Sequence, residues 1–217
     1  NTTTGNHNTS VGTQAHLTNT TGAANTALGS ASLYSNTTGN NNVAVGRESL
    51  YKNTTASNNV SVGYQSLYDN TTGGLNVAIG HHSLANNTTA SNNTALGYQA
   101  GYSNTTGSRH VMIGTYAGYS TATPTDNVAV GYNALAGNTT GAQNVAVGSY
   151  TLDANSTGAY NTAVGDSALT SNTTASNNTA VGYEAVYSNT TGDFHTAIGR
   201  RALRNNTTGQ YNTALGA

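Results

Sequence analysis

The sequence has no cysteine and no tryptophan, and only one proline, one methionine and one phenylalanine among its 217 residues. Without cysteine, neither a disulfide framework nor a thiolate metal site can form. Only 6% of the residues are charged, and 6 Lys and Arg nearly balance 7 Asp and Glu. Because a nucleic-acid-binding protein needs a basic surface to neutralise phosphates, we expect no nucleic acid among the partners.

Long apolar runs are also missing. No stretch approaches the roughly 20 apolar residues that span a bilayer, so we expect no membrane insertion in this segment. Hydrophobic residues make up 35% of the chain, below the roughly 45–50% of an ordinary globular domain. The composition therefore argues against a single conventional core. No charged-then-apolar leader opens the sequence, so we expect any targeting segment to have been removed or to lie outside this piece.

What the sequence has instead is a strict tandem repeat. The glycine that closes a segment of the type Asn-Thr-Ala-Val-Gly recurs every 17 residues without insertion or deletion, at Gly12, Gly29, Gly46, Gly63, Gly80, Gly97, Gly114, Gly131, Gly148, Gly165, Gly182, Gly199 and Gly216. A disordered tract of similar composition is the alternative, but it has no reason to keep a constant phase. A solenoid does, because each coil lies in register on the next. We predict one repeat domain over residues 1–217, with twelve to thirteen repeats, as part of a longer fibre.

We number the repeat from 1 to 17, starting at this asparagine, so that residues 161–177 form one repeat. Position 2 carries Thr or Val and position 4 carries Val, Leu or Ile, as in Val43 and Val45. Position 3 between them carries a small residue. This pattern before a constant glycine predicts a short strand ending in a turn, where the glycine has a positive φ. A second strand is predicted at positions 8–10, as in residues 49–51. The Asn-Thr-Thr-Gly segment at positions 12–15 would form a third side.

The predicted fold class is all-β: a parallel β-solenoid of 17-residue coils stacked about 4.8 Å apart, in a rod on the order of 60 Å long. Positions 2, 4 and 9 are predicted to fill a narrow core. The asparagines at positions 1 and 12 are predicted to form ladders, in which each amide bonds to the same amide in the coils above and below.

Positions 3 and 8 bear on the oligomeric state. If positions 2 and 4 face inwards, position 3 faces outwards, yet positions 3 and 8 hold almost only Ala, Ser or Thr. Outward positions confined to small residues indicate a second chain packed against them. The alternative is that the coil is so thin that positions 3 and 8 belong to the core and no partner exists. We favour the oligomer, a homotrimeric rod.

Two groups of proteins contain similar segments. The unit Asn161-Thr-Ala-Val-Gly165, with Ala or Ser two or three residues later, resembles the head repeats of trimeric autotransporter adhesins. The longer pattern of residues 178–192 resembles repeats of phage and bacterial tail-fibre-like proteins. The resemblance implies a non-enzymatic shaft, trimeric or filamentous, at the cell or virion surface. Such a shaft would space or present a tip that binds a surface glycan or a cell receptor.

The candidate catalytic and metal-binding residues are few. The seven acidic residues fall at different repeat positions, so the repeat creates no carboxylate pair for acid–base catalysis. We therefore predict no enzyme and no cofactor. Among the six histidines only His81 and His82 are adjacent, and because neighbouring residues at a turn usually diverge, no metal site is predicted there.

Threonine is constant at position 14, and we treat these residues as a candidate ligand array for ice. They are Thr21, Thr38, Thr55, Thr72, Thr89, Thr106, Thr123, Thr140, Thr157, Thr174, Thr191 and Thr208. The alternative is that Thr is simply suited to a strand or turn. Tyrosines recur at positions 6 and 10, where they either bind carbohydrate by stacking or stack on one another.

The position-12 asparagines begin acceptor triplets for N-glycosylation. The candidate sites are Asn19, Asn36, Asn53, Asn70, Asn87, Asn104, Asn138, Asn155, Asn172, Asn189 and Asn206. A secreted fibre would then be a glycoprotein. Against this, a glycan on every coil would be crowded at a spacing of about 4.8 Å, and a buried asparagine ladder cannot be glycosylated.

Overall fold

The structure, a computed structural model, describes residues 4–216. In this range the chain forms thirteen strands of three residues each, joined by turns, and no helix. The strands are β1 (Thr9–Val11), β2 (Thr26–Leu28), β3 (Val43–Val45), β4 (Val60–Val62), β5 (Val77–Ile79), β6 (Thr94–Leu96), β7 (Val111–Ile113), β8 (Val128–Val130), β9 (Val145–Val147), β10 (Thr162–Val164), β11 (Thr179–Val181), β12 (Thr196–Ile198) and β13 (Thr213–Leu215). The all-β prediction is confirmed.

The chain divides into two compact units, residues 1–109 and residues 110–217. In the first unit, β1 to β6 pair in sequence order, all parallel, with Val43 opposite Val60. In the second unit, β7 to β13 pair in the same way, with Val111 opposite Val128. Because paired residues are one repeat apart, each repeat is one coil. The predicted parallel β-solenoid is therefore confirmed.

The strands bury the opposite face from the one predicted. Position 3 is inside, with Ala44 and Ala78 fully buried, whereas Leu28 and Leu96 at position 4 are 46% and 45% exposed. The prediction that positions 2 and 4 fill the core is wrong. The alternative is correct in placing positions 3 and 8 in the core, so the small residues at these positions no longer indicate a second chain packed against them. The buried leucines at position 9, such as Leu50, leave room for little more than a methyl group at position 3.

The predicted second strand at positions 8–10 is also absent from the described residues, where these positions form consecutive turns. The backbone takes a positive φ at position 7, just before this turn segment, and at position 9 within it, as at Gln65 (φ 51°) and Leu67 (φ 50°). It nevertheless pairs with the neighbouring coil, since the Leu50 N–H donates to the Ser66 carbonyl over 2.9 Å. A non-glycine residue in this conformation costs about 1–3 kcal/mol, and the burial of the leucine side chain offsets that cost.

The glycine at position 5 is required by both conformation and space. Gly63 has a φ of 131°, a region that side chains strongly disfavour. A Cβ atom on Gly63 would lie 2.5 Å from the carbonyl oxygen of Gly80 in the next coil. The positive φ predicted for this glycine is confirmed.

The asparagine ladder at position 12 is confirmed. Asn53 Nδ2 donates to Asn36 Oδ1 over 2.9 Å, and Asn70 Nδ2 donates to Asn53 Oδ1 over 3.0 Å. Each amide also closes its own turn, since Asn53 Nδ2 donates to the Ala56 carbonyl over 3.1 Å. In the second unit Asn172 Nδ2 continues the pattern, donating to Asn155 Oδ1 over 2.9 Å. These bonds satisfy polar groups that burial has removed from water.

The position-1 asparagines bond to the backbone instead. Asn42 Oδ1 accepts the N–H of Asn59 in the next coil over 3.0 Å, and Asn42 Nδ2 donates to the Ala56 carbonyl over 2.8 Å. The predicted amide-to-amide ladder at position 1 is therefore wrong as a rule, although Asn161 Nδ2 does reach Asn144 Oδ1 at 3.1 Å. The position-1 side chains thus connect the start of the strand to the backbone carbonyl at position 15 of the same coil.

Candidate functional site

The outward side of the strands, called here the strand face, is formed by Val, Leu or Ile at position 4 and by Thr or Val at position 2. Leu28, Ile79 and Leu96 in the first unit are 37–46% exposed, and Ile198 in the second is 45% exposed. No repeat has a charged residue at position 2 or 4. An uncharged apolar surface of this kind is typical of a contact with another molecule. Sequence reasoning missed this face because it assigned these positions to the core.

The position-14 threonines, Thr21 to Thr208, are all exposed, one on each coil. The position-13 threonines beside them are not equivalent. The hydroxyl of Thr37 donates to the backbone carbonyl of Thr54, and the hydroxyl of Thr54 donates to the backbone carbonyl of Thr71, both over 3.1 Å. The candidate ligand array is therefore a single row of threonines, rather than the paired rows that position 13 would add.

The candidate glycosylation asparagines lie inside the coils. All eleven are buried except Asn206, which is half-buried. Their Nδ2 atoms, the atoms that a glycan would modify, are donors in the position-12 ladder, as for Asn70 and Asn87. A glycan at one of the buried sites would have to break the ladder. The sequence already indicated this objection to glycosylation.

Several tyrosines cover one another. The rings of Tyr34, Tyr51 and Tyr68 at position 10 are stacked, with centroids 5.0 and 5.1 Å apart. Neighbouring rings thus occupy both faces of Tyr51, which leaves neither face for a sugar. Tyr132 and Tyr150 are 44% and 42% exposed and meet edge to face at 5.2 Å. The more exposed rings are the ones that retain an open surface for carbohydrate.

The charged side chains pair along the coil axis within each unit. Glu184 accepts hydrogen bonds from Arg204 and Arg201 at 2.7 and 2.9 Å. The bond from Arg204 is the largest cause that lowers the pKa of Glu184 to about 2. Lys52 and Asp69 form a similar pair at 2.6 Å. These partly exposed contacts join adjacent coils and contribute little stability individually.

Histidines His81 and His82 lie on the surface of the first unit, together with tyrosine rings of the adjacent coils. Their ring centroids are 4.2 Å apart, so the expectation that neighbouring side chains diverge at this turn is wrong. His82 has a φ of 57°, which lies in the left-handed region. Between residues 4 and 216, no group of three or more His, Cys, Asp or Glu side chains is arranged to hold a metal ion.

The first unit also contains a polar cavity of about 620 Å³ beside its first described coil, lined by residues that include Asn8, His16 and Asn19. His16 takes the place of the usual position-9 leucine. Its Nε2 atom lies 3.2 Å from Asn36 Nδ2, and burial lowers the pKa of His16. The exposed His7 also lines the cavity, and no acidic side chain is among its lining residues in the described chain.

Within residues 4–216 the structure has no helix with the length and apolar composition that a membrane crossing requires. Comparison with protein-family models, with curated proteins and with solved structures finds no match to this chain.

Proposed function

We propose that the chain is a non-enzymatic structural repeat that assembles with copies of itself through the strand face. The observation that carries this proposal is the uncharged strand face, with Val, Leu or Ile at position 4 and Thr or Val at position 2. Burial of apolar surface stabilises association by about 25 cal/mol for each Å² removed from water. Because no charge interrupts the strand face, its burial carries no cost of desolvating an ion.

A second copy of the chain is the partner whose shape fits best. The side chains of the strand face recur once per coil, in steps of about 4.8 Å. An identical strand face has ridges at the same spacing, so two copies match at successive coils, whereas an unrelated surface matches at one or two. The expected product is a homotrimer or a filament with the strand faces inside.

The remaining contacts support a structural role. The buried asparagines bond from coil to coil, and the partly exposed ion pairs do the same, as in Glu184 with Arg204. Polar groups are thereby used to hold the repeat in register. The resemblance to adhesin heads and tail fibres supports an extracellular, cell-surface or virion-surface location. It also supports the role of spacing a tip that binds a glycan or a cell receptor.

The proposal is tested by comparing the assembly state of two double variants. In I79K/L96K, two lysines are placed on the strand face of adjacent coils, and we expect the assembly to dissociate to the monomer. In T89K/T106K the same charges are placed on the same two coils, but on the exposed threonine row, and we expect the assembly to persist. Sedimentation velocity measures the mass, and negative-stain images report its symmetry.

Circular dichroism of each variant checks that the coils remain folded. The proposal fails if the wild-type protein sediments as a 21.9 kDa monomer at every concentration reached. It also fails if I79K/L96K and T89K/T106K assemble alike.

A ligand-binding solenoid is the second candidate, and the exposure of every threonine in the position-14 row favours it. One hydroxyl and one methyl group per coil, at a constant spacing, are suited to ordering water at an ice surface. Thermal hysteresis of the wild-type protein is the measurement, with replacement of Thr72, Thr89 and Thr106 by Lys as the variant. Absence of hysteresis removes this candidate and leaves the fibre proposal unaffected.

A further inference from the structure

A polar relay in the first unit leads to the histidine pair. Gln65 Nε2 lies 2.6 Å from Glu48 Oε2, and Gln65 Oε1 lies 2.7 Å from His82 Nε2. The three side chains occupy position 7 of three successive coils. Arg47 also donates to Glu48 over 3.0 Å, and the bond from Gln65 is the largest cause that lowers the pKa of this carboxyl group.

The relay fixes the tautomer of His82. An ionised carboxylate only accepts hydrogen bonds, so the amide of Gln65 must turn its NH₂ group towards Glu48 and its oxygen towards His82. The amide oxygen also only accepts, so His82 Nε2 carries the proton. The lone pair of neutral His82 is then on Nδ1. This atom is buried and has no hydrogen-bond partner.

An oriented imidazole whose lone pair is desolvated and has no hydrogen-bond partner is suited to bind a metal ion. Metal-binding histidines usually donate their other N–H to a carbonyl or carboxylate, which fixes the ring and raises its basicity. The Glu48–Gln65–His82 relay provides that arrangement. Burial, and to a lesser extent the neighbouring His81, lower the pKa of His82.

The second ligand is His81. Two imidazoles that bind one ion at right angles through nitrogens at about 2.0–2.1 Å have centroids about 4.5 Å apart. The observed centroids of His81 and His82 are 4.2 Å apart. The side chain of His81 is exposed, so its ring has room to turn and admit an ion beside His82 Nδ1.

We propose that His81 and His82 form a surface site for a divalent late first-row metal ion, with water completing the coordination. Imidazole nitrogens suit Cu²⁺, Ni²⁺ and Zn²⁺, and affinity at such a site is highest for Cu²⁺. A structural fibre does not need this site, so the inference is independent of the assembly through the strand face.

The flanking coils provide matched variants. Position 6 is Tyr64 in the preceding coil and Tyr98 in the following one, so H81Y extends a tyrosine column that already exists. Position 7 is Gln65 before and Gln99 after, so H82Q extends a glutamine column. Both substitutions restore residues that the neighbouring coils accommodate. Circular dichroism should therefore match that of the wild type.

The test is titration of the full chain with Cu²⁺, followed by electron paramagnetic resonance. We expect one tightly bound Cu²⁺ per chain, with a spectrum showing two imidazole nitrogens. H81Y and H82Q should each lose the two-nitrogen spectrum. Q65A, which removes the relay and matches Ala31 at the same position, should weaken binding by about 10- to 100-fold. H7Q removes an exposed histidine elsewhere and should leave the spectrum and the affinity unchanged.

Three results would overturn the proposal. One is a wild-type spectrum with a single imidazole or none. Another is the two-nitrogen spectrum persisting in H81Y or H82Q. The last is equal affinity in the wild type and Q65A, which would show that the relay does not orient the ligand. Binding that H7Q abolishes would assign the ion to the other surface histidine, which also contradicts the proposal.

Discussion

At the level of single residues, histidine replaces the position-1 asparagine in two repeats, and His110 makes the bonds of the asparagine that it replaces. His110 Nδ1 lies 3.2 Å from the N–H of Asn127, and His110 Nε2 lies 2.9 Å from the Pro124 carbonyl. Asn42 makes the same two kinds of bond, with Oδ1 accepting the N–H of Asn59 in the next coil and Nδ2 donating to the Ala56 carbonyl in its own coil. An imidazole with the proton on Nε2 thus presents the same acceptor and the same donor as a carboxamide.

This replacement predicts a pH dependence. Burial is the largest cause that lowers the pKa of His195. As the pH falls below about 6.5, the unfolded chain binds a proton before the folded chain does, so this contribution to stability is present above that pH and lost below it. H195N should therefore lose less stability than the wild type between pH 7 and pH 5. Urea unfolding followed by circular dichroism at both pH values measures the difference, with H7N, at an exposed site, as the control. Equal losses in H195N and the wild type would contradict the expectation.

A second pair of residues shows compensation in the core. Position 3 is Met112 in the coil where position 9 is Gly118, whereas the usual pair is Ala and Leu. A Cβ atom on Gly118 would lie 2.8 Å from Met112 Sδ. The long methionine therefore fills the space that the leucine leaves. Gly118 has a φ of 60°, close to the value at which Leu135 sits in the next coil.

We expect M112A to lose about 2–5 kcal/mol through the cavity that it creates, and G118L to lose about 1–3 kcal/mol through overpacking. The double variant M112A/G118L restores the usual pair and should recover most of either loss. Urea unfolding of the three variants gives the coupling energy. Simple addition of the two losses would show that the two positions do not share one space.

At the level of the structural elements, the three-residue strands supply only part of the coil-to-coil contact. The turns at positions 6–11 bond to adjacent coils through their backbone, and the position-12 ladder bonds through side chains. Within an uninterrupted run, a ladder asparagine such as Asn53 donates to one amide and accepts from another, whereas Asn104 Oδ1 has no partner because the next coil has Thr121. Removing one therefore leaves buried partners unsatisfied in two neighbouring coils.

N53A should accordingly destabilise the protein by about 2–4 kcal/mol, since each buried polar group left unpaired costs about 1–3 kcal/mol. T55A is the matched control. It removes the same acceptor triplet for glycosylation but changes only an exposed threonine, so its stability should stay within about 0.5 kcal/mol of the wild type. Urea midpoints compare the two. A T55A loss as large as that of N53A would show that the ladder is not the source of the effect.

At the level of the whole molecule, the constant period makes one repeat the unit of change. Deletion of residues 59–75 removes one coil of the first unit and joins position 17 to position 1, so every remaining contact keeps its phase. We expect this variant to fold, with the same circular dichroism per residue and a small drop in melting temperature. In repeat proteins, stability is roughly a sum over repeats and the interfaces between neighbours.

Deletion of residues 59–74 is the control, because it differs by one residue and shifts the phase. A one-residue shift in a strand exchanges its two faces, so the alanines and the aliphatic residues would change sides at the junction. We expect this variant to unfold locally and to be cleaved there by protease. Equal protease resistance in the two deletion variants would contradict the stacking of one repeat per coil.

The sequence by itself determined the parallel β-solenoid, the position of the strand and the ladder at position 12. A constant period requires coils in register, and a buried amide needs a partner that recurs with it. The face that the strand buries could not be read from the alternation, because a three-residue strand offers only one residue to one side and two to the other. In three dimensions, the leucines at position 9 fill a thin coil and leave space for alanine alone.

The same lack of space decided the candidate sites. With alanine inside, the aliphatic residues of positions 2 and 4 form an exposed strand face, which sequence reasoning had placed in the core. The left-handed backbone at position 7, which no composition rule predicts for histidine, accompanies the close approach of His81 and His82. Periodicity thus determines which residues recur along the coil axis. Only the packed cross-section of the coil decides which of them face the core and which meet one another at the surface.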